Sequence, residues 1–277
     1  RVIGKVKRTF HRHNGAMHHY QEFAPHPALA AHVACLWTSR ALPQPSRPVR
    51  TRVLPDNCID ILWQDCAPFG FVAGMMSRAH RVEMAQPVLT VAVRFLPGAA
   101  RAFFDAPLHL LQDQHPALDD LWPRGEAEAL AAALWEREQS IEHRLATLER
   151  ALLARLHAPP RVDAPARADA LVRTAVGLLE AGGGLLRVED LAATLNVSRQ
   201  HLAQQFRERV GLSAKTFAMV CQFRQAHAVL RRQGGGEVDW ARLAGDCGYY
   251  DQSHLIHAFR QFADDTPAGF HFSNTRP

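Results

Sequence analysis

The feature that most constrains this chain is a repeat in its C-terminal third. Leu202, Phe206, Gly211, Ser213, Ala214 and Phe217 recur 53 positions later as Leu255, Phe259, Asp264, Thr266, Pro267 and Phe270, and Leu191-Ala192 matches Leu243-Ala244 at an offset of 52. Self-similarity at a fixed offset means one supersecondary unit built twice. In the first copy, Val188–Leu195 reads as a short helix with acids in its first turn, where the helix dipole favours them. Asn196-Val197 makes a turn, and Ser198 is placed to cap the next helix. That helix buries Leu202 and Phe206 and turns Arg199, Gln200, Ala203, Gln204 and Arg207 outward, with Ser198 at its start. In the second copy Gly248 sits at the turn and either Asp251 or Ser253 starts the helix. Asp251, Gln252, Ser253, Ile256, His257 and Arg260 then form the exposed face around buried Leu255 and Phe259.

A single copy would be an ordinary packed helix pair. Two copies with matching Leu, Phe and turn positions read as tandem helix-turn-helix units. Long donors on short rigid helices are what base-edge reading needs: Arg fits guanine O6/N7 and Gln fits adenine N6/N7. These twelve positions are the candidate DNA-binding residues.

The arrangement resembles the AraC/XylS family of bacterial transcription regulators over about residues 167–273. The resemblance rests on Leu191-Ala192, Ser198, Leu202, Phe206, Gly211, Phe217, Ala226, Leu230, Ala244, Phe259 and Thr266-Pro267. Its most specific part is Gly248-Tyr249-x-Asp251-Gln252-Ser253-His254, followed by Leu255, with the later Thr266-Pro267-x-x-Phe270. It implies two helix-turn-helix units joined by a long helix, here about 214–232, with both recognition helices in successive major grooves of double-stranded DNA. It further implies a cytoplasmic, bacterial protein, and RNA polymerase as a partner if the protein is an activator. Six positions depart from the family pattern. Gln222 stands for an Arg, Ala214 for a Pro, Asp264 for a Gly, Phe270-His271 for Tyr-Arg, and His257 where Arg is common.

Net charge adds little to this reading. The formal +5 comes from residues 1–16, which carry five basic groups and no acid; the remaining 27 basic and 27 acidic residues balance. From Leu185 onward there are eleven basic and nine acidic residues, so binding would rest on placed contacts and on avidity rather than on bulk charge. Residues 1–16 read as a disordered tail, either an artificial remnant or an extended start, outside the fold.

The expected fold is α+β. Residues 17–157 form a β-rich domain with trailing helices, 158–166 a Pro-rich linker and 167–277 an all-α DNA-binding domain. Arg52–Leu54, Ile59–Trp63, Phe69–Ala73 and Val88–Phe95 are short apolar runs bounded by turn formers, and read as strands. His32–Trp37 fits either a strand or part of a short helix starting near Pro27. Residues 126–138 and 140–156 read as helices. The second carries Ile141, Leu145, Leu148, Leu152 and Leu156 on one stripe, which either packs on its own domain or pairs two copies of the chain. Six further helices are expected after the linker, then a short one at the C-terminus. The front half resembles a small domain of unassigned function found before AraC-type modules, through Tyr20-x-x-Phe23-x-Pro25, Leu54-Pro55-Asp56, Ile59-Asp60-Ile61 and Val93-Arg94-Phe95-x-Pro97-Gly98. By fold analogy such domains bind a small effector or dimerise. Trp37, Asp56, Asp60 and Arg94 are the candidate pocket groups. Arg94, set among Val91, Val93 and Phe95, either points outward or pairs with Asp60.

Other chemistries find no motif. G-x-S-x-G, Walker, G-x-G-x-x-G and H-E-x-x-H patterns are missing, so neither a catalytic residue nor a cofactor is expected. The alternatives to a regulator are a helical protein-interaction module and an enzyme in the front domain. Five scattered cysteines, never spaced CxxC, argue against a disulfide framework and a structural zinc site. His18, His19 and His26 read as a solvated terminus rather than metal ligands. No apolar stretch is long enough to span a membrane.

Overall fold

The computed structural model describes residues 5–13, 16–44, 47–67, 69–123, 125–157, 166–233 and 238–270. Its front half contains strands β1 (Lys5–His13), β2 (Ala16–Phe23), β3 (Val33–Leu42), β4 (Val49–Val53), β5 (Asp60–Gln64), β6 (Phe71–Ala73), β7 (His80–Met84) and β8 (Val88–Phe95). Six of them pair antiparallel in the order β1-β2-β3-β8-β5-β6, while β4 and β7 form a separate ribbon. Helices α1 (Glu126–Trp135), α2 (Ile141–His157), α3 (Ala166–Ala181), α4 (Val188–Thr194), α5 (Arg199–Arg209), α6 (Ala214–Gln233), α7 (Trp240–Asp246) and α8 (Gln252–Ala263) follow. The architecture is α+β, with a β-rich front and a helical back.

Several sequence expectations change here. Lys5–His13, expected outside the fold, is the edge strand of the sheet, paired along its length with β2. His18, expected to be solvated, is buried, and its Nε2 lies 2.6 Å from Ser39 Oγ on the neighbouring strand. Of the two readings of His32–Trp37 the strand is the one found: β3 starts at Val33, and the helix near Pro27 is a single 3-10 turn, Pro27–Leu29, that ends before it. Residues 158–165 of the expected linker lie outside the described residues, and Ala166 already belongs to α3. After α8, residues 267–269 make only a turn; any short helix beyond 270 lies outside the described residues.

Alternation along the strands gives the sheet two different faces. Ile61, Trp63, Val91, Val93 and Phe95 point to the helices and form the main core. Asp60, Leu62, Gln64, Thr90 and Arg94 point the other way, toward the β4–β7 ribbon. The apolar stripe of α2 belongs to the first side: Leu145, Leu148 and Leu152 are fully buried in the main core. That stripe is occupied within its own chain.

The main core does not stop at the Pro-rich segment. Val172, Val176, Leu191, Leu202, Phe206 and Val210 lie in the same cluster as Phe95, Phe103 and Leu108. Gly98 and Gly211 mark the tight places. A Cβ on Gly98 would lie 3.2 Å from Val172, and one on Gly211 would lie 2.9 Å from the Leu108 carbonyl oxygen. The first helix-turn-helix unit is thus built onto the front domain. The second unit has its own cluster, formed by Val220, Phe223, Leu243, Leu255, Phe259, Phe262 and Phe270, into which Leu54 of the front domain also reaches.

Candidate nucleic-acid interface

The two units share geometry as well as sequence. Asn196 (φ 53°) and Gly248 (φ 74°) both take the left-handed backbone at the inter-helix turn. Asn tolerates it through its short polar side chain, and Gly carries no Cβ penalty. Ser198 Oγ accepts from His201 N at 3.1 Å, and Asp251 Oδ1 accepts from His254 N at 2.8 Å, so equivalent positions cap α5 and α8. Of the two possible caps in the second unit, Asp251 is the one used. Past each helix the backbone turns left-handed again, at Gly211 (φ 96°) and Asp264 (φ 55°). Inside the units, Phe206 packs edge-on against Phe217 at 5.7 Å and 82°, and Phe259 against Phe270 at 5.9 Å and 84°. Such pairs add about 0.5–1.5 kcal/mol beyond the area they bury.

Burial separates the faces of each helix. On α5, Leu202, Gln205, Phe206 and Arg209 are buried, while Arg199, Gln200, Ala203, Gln204 and Arg207 are exposed, as is the capping Ser198. On α8, Leu255, Ala258, Phe259 and Phe262 are buried, while Gln252, Ser253, His257 and Arg260 are exposed along with Asp251, and Ile256 is half-buried. Ser198 and Asp251 spend their oxygens on caps, and Gln204 donates to Glu208 at 2.9 Å. Arg209 is held inside by Gln205 and Asp169. Tyr250, which the sequence reading passed over, is 93% exposed just before α8. Helix α6 joins the units; its 20 residues span about 30 Å, close to the ~34 Å advance of one duplex turn.

The four candidate pocket residues meet on the far face of the sheet. Asp60 and Arg94 are directly opposite across β5 and β8. Arg94 Nε donates to Asp60 Oδ1 at 3.1 Å and Nη2 to Oδ2 at 3.0 Å, a forked pair. Trp37 Nε1 donates to the same carboxylate at 3.0 Å, and Asp56 stands 3.4 Å from Arg94 Nη2. Burial holds the Asp60 carboxyl above its usual range; Arg94 opposes the shift and Asp56 adds to it. Burial likewise opposes the charge on Arg94, but Asp60 and Asp56 hold it well above its usual range. These groups line a cavity of about 290 Å³ between the sheet and the ribbon.

Polar contacts tie this region to the helices. Asn57, just after Asp56, donates to the Phe217 carbonyl at 3.1 Å, and Arg224 Nη1 donates to the Asp56 carbonyl at 3.1 Å. From the ribbon, Arg52 pairs with Asp265 at 3.3 Å and stands 5.6 Å from the centre of the Phe270 ring, and Arg81 pairs with Asp264 at 2.8 Å. Asp264, the departure from Gly, therefore keeps the left-handed turn and adds an ion pair. Nothing in a one-dimensional reading marked these partners. Strand β7 itself had a weak signal, with Val82 and Met84 alternating against Arg81 and Glu83.

Fold and exposed helices together define a C-terminal helix-turn-helix module behind a β-rich domain. Residues 191–271 match a family described as a helix-turn-helix domain, and residues 21–117 match a domain of unknown function (DUF6597). The Msm operon regulatory protein of Streptococcus mutans is 27% identical over 88 residues, or 32% of this chain and 31% of that protein. The match thus spans about a third of that relative's length. Among solved structures, ToxT from Vibrio cholerae is similar at a TM-score of 0.43 and 10% identity, over 84% of this chain and 96% of that one. The AraC-like transcriptional activator CuxR is similar at a TM-score of 0.20 and 13% identity, over 77% and 76% of the two chains. No helix among the described residues is long and apolar enough to cross a membrane, and those residues contain no grouping of three or more His, Cys, Asp or Glu that could hold a metal ion.

Proposed function

We propose that the protein recognises a specific DNA sequence with α5 and α8, one in each of two successive major grooves, and regulates transcription under control of its front domain. One observation carries this reading. The same left-handed turn and side-chain cap precede both helices, and each then presents a row of exposed polar side chains. Arg199, Gln200, Gln204 and Arg207 are the assigned readers on α5, and Gln252, Ser253, His257 and Arg260 on α8. Ser198 and Asp251 fix the helix starts. Ala203 and Ile256 offer apolar contact, of the kind a thymine methyl accepts.

Control follows from how the units are attached. The first is packed into the core beneath the sheet, whereas the ribbon above the cavity holds the second through Arg52 and Arg81. An effector between sheet and ribbon would bias the relative placement of the two units, a population shift between DNA-competent and incompetent arrangements. This favours effector binding over dimerisation, since the α2 stripe lies in the core.

The test is site selection from random duplex DNA with the full chain, followed by footprinting and a salt titration. Affinity should fall steeply with salt, and Arg199→Ala with Gln252→Ala should erase the footprint while leaving the far-ultraviolet spectrum unchanged. A footprint indifferent to both substitutions would remove α5 and α8 as readers. A folded protein that selects no duplex would instead point to a protein-binding module.

A further inference from the structure

The cavity beneath the ribbon carries a charge imbalance that says what it would hold. Its walls are largely apolar, with Leu62, Phe71, Val82 and Met84 around the polar floor. On that floor one guanidinium faces two carboxylates. Asp60 is saturated, taking two bonds from Arg94 and one from Trp37. Asp56 is not: its Oδ1 accepts from Cys58 N at 3.0 Å, and its Oδ2 meets Arg94 only at 3.4 Å. Arg224 approaches the Asp56 backbone carbonyl rather than its carboxylate.

Among the groups that line the cavity, one guanidinium faces two carboxylates, an excess of acid over base in a partly enclosed, low-dielectric space where unbalanced charge is costly. At the rim, His115 stacks on His80 with ring centres 4.6 Å apart, and partial burial with His80 alongside holds the His115 imidazole below its usual range. That shift favours the neutral ring. An incoming anion would meet one attraction and two repulsions. An incoming cation would meet the reverse, and Trp37 and Phe71 add aromatic surface for cation–π contact.

We propose that the cavity binds a small organic cation, an amine with a compact apolar body, whose ammonium group sits against the Asp56 carboxylate. The inference rests on the reading above that this cavity is the control site, and adds the class of its ligand. A volume of about 290 Å³ has room for a one-ring or short-chain body, near the lower end of small-molecule sites.

The experiment compares three near-isosteric probes on the full chain by calorimetry: phenethylamine, phenethyl alcohol and phenylacetate. The amine should bind at least tenfold more tightly than the alcohol, and the carboxylate should not bind. Asp56→Asn should cost the amine at least tenfold and leave the alcohol unchanged. Because Asp56 is partly exposed, this variant tests the charge without emptying the buried Asp60 pair. Val82→Phe, which fills the cavity from the ribbon side, should abolish binding of the amine and alcohol alike. If the carboxylate or the alcohol binds as well as the amine, or Asp56→Asn leaves amine binding intact, the ligand class is overturned while the control-site reading stands. If none of the three binds at millimolar concentration, both fall, and the DNA-binding assignment is untouched.

Discussion

Arg52 on β4 reaches Asp265, 213 residues further along the chain and just beyond α8, with its Nη1 3.3 Å from the carboxylate. Both side chains are mostly buried, at 13% and 25% exposure, so the pair is less screened than a surface bridge. It also holds Arg52 near the face of Phe270, itself part of the second unit's core. A double-mutant cycle on Arg52→Ala and Asp265→Ala should give a coupling of about 1 kcal/mol in urea unfolding. A coupling of zero would mean the ribbon and the second unit are held by other contacts.

Two glycines should respond oppositely to alanine. Gly211 has a positive φ and its added Cβ would strike the Leu108 carbonyl oxygen, so Gly211→Ala should destabilise by about 1–3 kcal/mol. Gly177 lies in the interior of α3 with open space around it, so Gly177→Ala should stabilise by about 0.5–1 kcal/mol. Thermal unfolding of the two variants checks both signs.

His227 makes stability depend on acid. Burial, with Arg231 nearby, lowers its pKa to about 4, whereas the unfolded chain titrates near the ordinary value of 6.5. Below 6.5 the unfolded state therefore binds the proton that the folded state refuses. The stability tied to the neutral ring is fully present above about pH 6.5 and is lost progressively as pH falls toward 4, by up to roughly 3 kcal/mol. Urea unfolding between pH 7 and 4 should show a shallower acid loss in His227→Gln than in the parent. Parallel slopes would mean that the ring is accessible to protons in the folded protein.

The thiols should divide sharply in reactivity. Burial pushes Cys35 up to about 12 and Cys221 up to about 11, and raises Cys58 and Cys247 as well. Cys66 alone among the five is exposed. A maleimide at neutral pH should label one site quickly in the native protein and the other four only after unfolding, because the thiolate is the reactive form. Cys66→Ser should remove the fast phase, and a second fast site would contradict the burial described for the others.

What could be read from the sequence follows how local each signal is. The tandem units were legible because Leu202/Leu255 and Phe206/Phe259 repeat a local pattern, and short-range geometry at Asn196, Ser198, Gly248 and Asp251 completes it. Strands β5 and β8 were legible from their apolar runs. Strands β1 and β2 were not, because His- and Arg-rich segments carry weak strand propensity and gain their pairing only from neighbours. The Asp60–Arg94 pair could be named as one of two options, but choosing it needs the cross-strand register. The bridges from Arg52 and Arg81 to the second unit depend on chain segments about two hundred residues apart, and no periodicity encodes that.

The shared core has a consequence for anyone dissecting the chain. Val172, Val176 and Val210 press against Gly98, and Phe206 lies in one apolar cluster with Phe95 and Phe103. A fragment starting at α3 would bring that greasy underside of its first half into water, while its second half kept a private interior. The two helix-turn-helix units would then melt at different points, and swapping such a piece onto a foreign front end would graft only the more distant unit intact.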